Sequence, residues 1–169
     1  MPRILLLPLL LLTLAVPLSA AAATAPPTPR DGTLITYQGA EAKASLPLRS
    51  DRLPGAPADF RAFVKSELHA IWRDLGHSQA CKTSPLITVD ALRTDGFALG
   101  TVSSRPRRDC AGAGGGYVAF WAVRHGAWKE VIGTQEVVKC AKLERFDIPS
   151  EIGVHECYQG DEVVPYDHP

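Results

Sequence analysis

The hydrophobic period of this chain changes once, near Gly76, and that change constrains the fold more than any other feature of the sequence. Before it, Phe60, Phe63, Val64, Leu68, Ile71, Trp72 and Leu75 recur at three- and four-residue steps, which places them on one face of a helix. Pro57 suits the opening of that helix, Asp59 suits the positive end of its dipole, and Gly76 closes it. After it, Leu86 to Arg93 and Phe97 to Ser104 are β-prone runs flanking Thr94, Asp95 and Gly96, and an Asp-Gly pair in that setting signals a hairpin. A second hairpin is expected from Tyr117 to Arg124 and Ala127 to Gly133, turning through His125 and Gly126. The expected fold is therefore α+β: one amphipathic helix packed on a mostly antiparallel sheet of four or five strands.

Strand alternation refines that expectation. Tyr117, Ala119, Trp121 and Val123 fall on one face, and Val118, Phe120, Ala122 and Arg124 on the other, so this strand is apolar on both sides and belongs in the centre of the sheet. In the next strand a strict period of two puts Trp128 and Ile132 on one face and Val131 on the other. Trp72, Trp121 and Trp128 are expected in or near the core. From Cys140 onward, one or two short helical turns punctuated by Pro149 lead to Cys157.

The four cysteines are Cys81, Cys110, Cys140 and Cys157, and four allow three pairings. If Asp95 and Gly96 alone form the first turn, Thr94 faces Phe97, and the same register extended outward brings Cys81 opposite Cys110. That geometry favours a Cys81 to Cys110 disulfide. Cys140 and Cys157 would then close a short loop worth about 3 kcal/mol in the chain-entropy picture.

Pairing requires an oxidising compartment, and the start of the chain points to one. Arg3, an apolar run from Ile4 to Val16, and the small residues Ala20 to Ala23 read as a secretory signal peptide over residues 1–23, cut after Ala20, Ala22 or Ala23. The first cysteine, Cys81, is too far from that site for lipid attachment, so the mature protein is expected to be extracellular without a stable membrane anchor. Residues 24–57 are rich in proline (Pro26, Pro27, Pro29, Pro47, Pro54, Pro57), which rules out a long helix. They read as a linker or arm with room for one short strand at Thr33 to Tyr37. Residues 58–169 read as a single α+β domain.

Charge and motif content exclude more than they assign. Lys and Arg number 18 and Asp and Glu number 18, so no net field steers the chain to nucleic acid or to an anionic membrane. Arg105, Arg107 and Arg108 cluster beside the glycine-rich run Gly112 to Gly116 and form a candidate interaction loop, but no Gly-Lys-Ser/Thr ending marks a phosphate loop. There is no Gly-x-Ser-x-Gly elbow, His-Glu-x-x-His motif or Cys-x-x-Cys pair, and no catalytic residue, metal ligand or cofactor is assigned. His155, Glu156 and Cys157 are metal-binding types, yet adjacent residues do not converge on one ion. Asp90, Glu130 and Glu136 would supply a carboxylate pair if two met in a concavity of the sheet.

Trp128, Val131, Gln135, Cys140, Phe146, Ile148, Pro149 and Cys157 together make an ending that resembles that of small exported bacterial proteins of uncharacterised function. The resemblance spans Phe60 to Cys157 and implies a helix followed by a β-meander with a cysteine-closed end; it carries no activity. A helix across a curved antiparallel sheet is also similar in architecture to cystatin-like and nuclear-transport-factor-like folds, which host unrelated functions. Three expectations follow. The leading one is a secreted, disulfide-stabilised binding module whose sheet face or hairpin loops engage an extracellular or envelope partner. The second is a small-ligand or hydrolytic pocket between helix and sheet, favoured if Asp90, Gln135 or His125 converge inside. The third is an exported hydrolase inhibitor presenting the Arg105 to Gly116 loop.

Overall fold

A computed structural model describes residues 31–74, 83–106 and 115–169. The helix predicted from the apolar stripe, α1 (Ala58–Asp74), buries Phe60, Val64 and Leu68. The two hairpins that follow supply β3 (Thr83–Arg93), β4 (Phe97–Pro106), β5 (Gly116–Arg124) and β6 (Ala127–Thr134). Each pairs antiparallel with the next. Two short strands, β1 (Leu34–Thr36) and β2 (Lys43–Ala44), pair with the free edge of β3, making a six-stranded sheet. The structure is thus α+β.

From Asp31 onward the proline-rich segment read as an arm is built into this sheet and its core. Tyr37, Ala42, Ala44 and Leu53 are buried in one cluster with Phe60, Val64, Trp121 and Trp128. Its backbone is tied down as well: the Tyr37 N–H donates to the Asp90 carbonyl at 2.9 Å and the Val89 N–H donates to the Ala42 carbonyl at 2.9 Å. Prolines block helix but leave room for short extended pieces between turns, and such pieces are enough to cover a sheet edge.

Both faces of the sheet are covered. Phe60 anchors α1 against the first face, its ring 4.6 Å from Trp128 and 6.4 Å from Trp121, both edge-on. On the other face Phe120, Ile132 and Ala91 pack with Leu143, Ile148, Ile152, Val154, Cys157 and Tyr166. These come from α2 (Cys140–Arg145), a 3-10 turn at Ser150–Ile152, a ribbon of β7 (Glu156–Gln159) with β8 (Glu162–Pro165), and the residues that link and follow them. A Cys140–Cys157 disulfide joins α2 to β7. Phe120 at 3% and Trp121 at 0% exposure bear out the expectation that β5 is central.

Three local expectations are corrected. Trp72 is 44% exposed rather than in the core. Four residues overshoot a helical turn by about 40°, so the buried row Phe60, Val64, Leu68 has rotated away from the sheet by the time it reaches Trp72.

The first hairpin turns through three residues, not two. Arg93 pairs with Phe97, the Gly96 N–H donates to the Arg93 carbonyl at 3.0 Å, and Gly96 takes φ of 126°. A bulge at Asp90 then shifts the pairing once more, to Val89 with Gly100. This replaces the register from which Cys81 and Cys110 were aligned; both cysteines lie outside the described residues.

Trp128 and Ile132 occupy opposite faces, because a second bulge sets Trp121 against Glu130 but Phe120 against Ile132, leaving Val131 as the extra residue. One inserted residue inverts every side chain beyond it.

Candidate functional site

Beyond the β6 bulge the chain leaves the sheet in a tight turn. The Glu136 N–H donates to Thr134 Oγ1 at 3.0 Å, and the Thr134 hydroxyl donates back to the Glu136 carbonyl at 2.9 Å. This self-closed turn carries Glu136 and Val137 out over the face opposite α1. From the other direction, the 3-10 turn ends at Gly153 with φ of 107°, and a Cβ there would lie 3.4 Å from Leu99 Cδ2. Glycine at that point lets Val154, His155 and Glu156 close down on β4.

Between these two segments lies a groove of about 390 Å³. Its floor is apolar, made by Leu99, Val118, Phe120, Val138 and Val154, and its rim carries Asp90, Glu136, Glu156 and His155. Val118 and Val137 are 39% and 41% exposed, which is unusual for valines beside a core. Asp90 reaches the rim through the β3 bulge, and partial burial raises its pKa above the ordinary carboxylate value. Three carboxylates and one imidazole over an apolar floor make a site that accepts apolar surface and prefers positive charge at its edge.

Of the carboxylates considered from the sequence, Asp90 and Glu136 therefore border one groove, whereas Glu130 and Glu136 border the neighbouring depression beside Tyr117 and Gln135. There the Tyr117 hydroxyl donates to Glu130 Oε2 at 2.9 Å. Burial and the nearby Glu67 of α1 raise the Glu130 pKa, although the tyrosine hydrogen bond opposes this; burial raises Glu67 as well. Gly133 makes the arrangement fit, since a Cβ there would meet Glu130 Oε1 at 2.7 Å and the Tyr117 ring at 3.0 Å.

The remaining sequence candidates are dispersed. Gln135 donates through Nε2 to the Gly116 carbonyl at 3.0 Å, and His125 sits exposed in the β5–β6 turn with φ of 54°. Asp90, Gln135 and His125 do not converge. His155 and Glu156 face the groove while Cys157 is buried in its disulfide, and no three metal-binding side chains come together among the described residues. Arg105 lies opposite Ser84 at the end of β4; Arg107 and Arg108 lie outside the described residues.

No protein family, curated protein or solved structure matches this chain, so the functional reading rests on its own residues. Among the described residues no helix is long and apolar enough to cross a membrane.

The groove was not legible beforehand. Val118 looked like one more inward residue of a central strand, and its exposure follows from where the C-terminal segment stops covering the sheet. The β7–β8 ribbon did have a signal in Gly160-Asp161, a turn pair between Cys157-Tyr158 and Val163-Val164.

Proposed function

We propose that this chain is an exported binding module that takes an extended, apolar segment bearing basic side chains into the groove between β3–β5 and the C-terminal segment. The apolar floor under an acidic rim carries this reading: Val118 and Val137 offer area to bury, and Asp90, Glu136 and Glu156 complement lysine or arginine at the edges. A leader pattern over residues 1–23 and the Cys140–Cys157 disulfide support export. The groove is open and mostly preformed, which suits recognition of a segment of another protein more than enclosure of a reacting small molecule.

Selection from a random peptide library against the folded protein tests the proposal. Enriched sequences should alternate apolar residues with lysine or arginine, and binding should be lost in a Val118→Asp/Val137→Asp variant and weakened in Glu136→Lys. Both valines are partly exposed, so the variant is expected to remain folded, which its circular dichroism would check. Enrichment of acidic peptides, or undiminished binding by the folded double variant, would refute the reading. Intact mass of the exported protein with and without reduction tests the compartment: loss of residues 1–20, 1–22 or 1–23 and no free thiol are expected.

A further inference from the structure

A second site stands apart from the groove, on the loop that links β2 to α1. We infer that the pocket formed there by Lys43, Arg49 and Arg52 binds a phosphate group. Its other walls are Gly39, Ala40, Ser45, Pro47 and Leu86, and its volume is about 360 Å³. Three cations and no carboxylate line it. Counter-charge comes from Asp51, which accepts from Arg49 Nε at 3.1 Å and lies 3.7 Å from Arg52 Nε, so one carboxylate is shared between two guanidinium groups. Among the described residues the Lys43 ammonium makes no hydrogen bond or ion pair, and Arg49 hydrogen-bonds through Nε alone, leaving its terminal amino groups without a hydrogen bond.

An excess of positive charge in one concave place has a cost unless an anion offsets it. The excess is close to the charge of a phosphate monoester, about −1.5 to −2 at neutral pH. Arg49 also presents the forked amino pair that matches two oxygens of a tetrahedral anion, and Lys43 adds a point charge and Ser45 a hydroxyl.

The pocket is held in shape before any ligand arrives. Arg61 of α1 reaches under the loop and donates to the carbonyls of Arg49 at 3.1 Å, Ser50 at 3.4 Å and Leu53 at 3.1 Å, and also to that of Arg52. Arg52 in turn donates to the Ala40 carbonyl across the pocket. Arg61 spends its hydrogen bonds on carbonyls, so its charge adds to the positive potential of the loop. A loop fixed from behind loses little entropy when an anion binds in front.

A free phosphate and a phospholipid headgroup share this chemistry, and one set of measurements separates the two. Amide shifts of the full mature protein are followed during titration with inorganic phosphate at constant ionic strength, and co-sedimentation is measured with phosphatidylcholine vesicles with and without phosphatidic acid. Residues 39–52 should shift with phosphate, and Lys43→Ala and Arg49→Ala should each weaken binding about tenfold without lowering the unfolding midpoint measured in the absence of phosphate. Shifts with inorganic phosphate assign a free anion; variant-sensitive sedimentation with phosphatidic acid alone assigns a lipid-borne one. Absence of both, or binding that survives in the two variants, overturns the inference.

Discussion

At Gly100 a single methyl group would stand 2.0 Å from the carbonyl oxygen of Thr88 and 3.0 Å from the Trp121 ring. Backbone cannot yield there as a flexible side chain would, because Thr88 belongs to the neighbouring strand. Gly100→Ala should therefore lower stability by about 1–3 kcal/mol or more, measured by urea unfolding. Trp121 is the opposite case, a large side chain with no exposed surface, and Trp121→Ala should cost about 3–5 kcal/mol. An unchanged unfolding midpoint in either variant would contradict the packing described. The tryptophan was legible from β5 alternation; the glycine was not, since in the sequence Gly100 looks like any strand glycine. Close approach of two strands is a property of the pair, and one strand does not encode it.

Elements carry the next level of information, and here the two bulges decide the outcome. Asp90 and Val131 each insert one residue into an otherwise regular ladder. The first brings Asp90 to the groove, and the second separates Trp128 from Ile132 so that β6 contributes to both cores. Neither insertion breaks the β-propensity of its run, which is why period-two reading passed over them. The turn through His125 and Gly126 was readable because both residues need positive φ, 54° and 77°, and Gly meets that need without strain. At the C-terminal end the Cys140–Cys157 bridge spans a separation of 17 residues and ties α2 to the β7–β8 ribbon. A Cys140→Ser/Cys157→Ser variant should lose about 3 kcal/mol, and hydrogen exchange should show the loss first in α2 and the ribbon. Uniform loss of protection across β3–β6 instead would mean that the C-terminal segment and the sheet unfold as one unit.

For the molecule as a whole, pH dependence reports how much charge the fold has taken out of water. Glu67, Asp90 and Glu130 all have pKa values raised above 4.5 or 3.8, the ordinary values for Glu and Asp, and burial is the leading cause in each. A carboxyl that holds its proton more tightly when folded favours the folded state once protonated. Its contribution is complete below the unfolded pKa and is lost as pH rises through the folded one. Stability should accordingly climb as pH falls from neutrality toward about 4.5, and Glu130→Gln should flatten that climb. Asp31 acts in the other direction. The Thr94 hydroxyl and the Thr33 N–H hold its pKa down to about 2, so its contribution is lost as pH falls from 3.8 toward that value. Unfolding midpoints taken across pH 2 to 8 for the parent and Glu130→Gln check both limbs; a parent profile that declines steadily below neutrality would contradict the first. At the same scale, the helix, both hairpins, the central place of β5 and a cysteine-closed end could be read from the chain, because apolar period and turn chemistry act over a few neighbouring residues. Folding in three dimensions was needed to bring the proline-rich segment into the core, to redirect β3 and β6 at their bulges, and to gather Asp90 with Glu136 around one groove and Lys43 with Arg49 and Arg52 around one pocket. Those juxtapositions depend on how far each element covers its neighbour, and that extent is set by packing between residues distant in the chain.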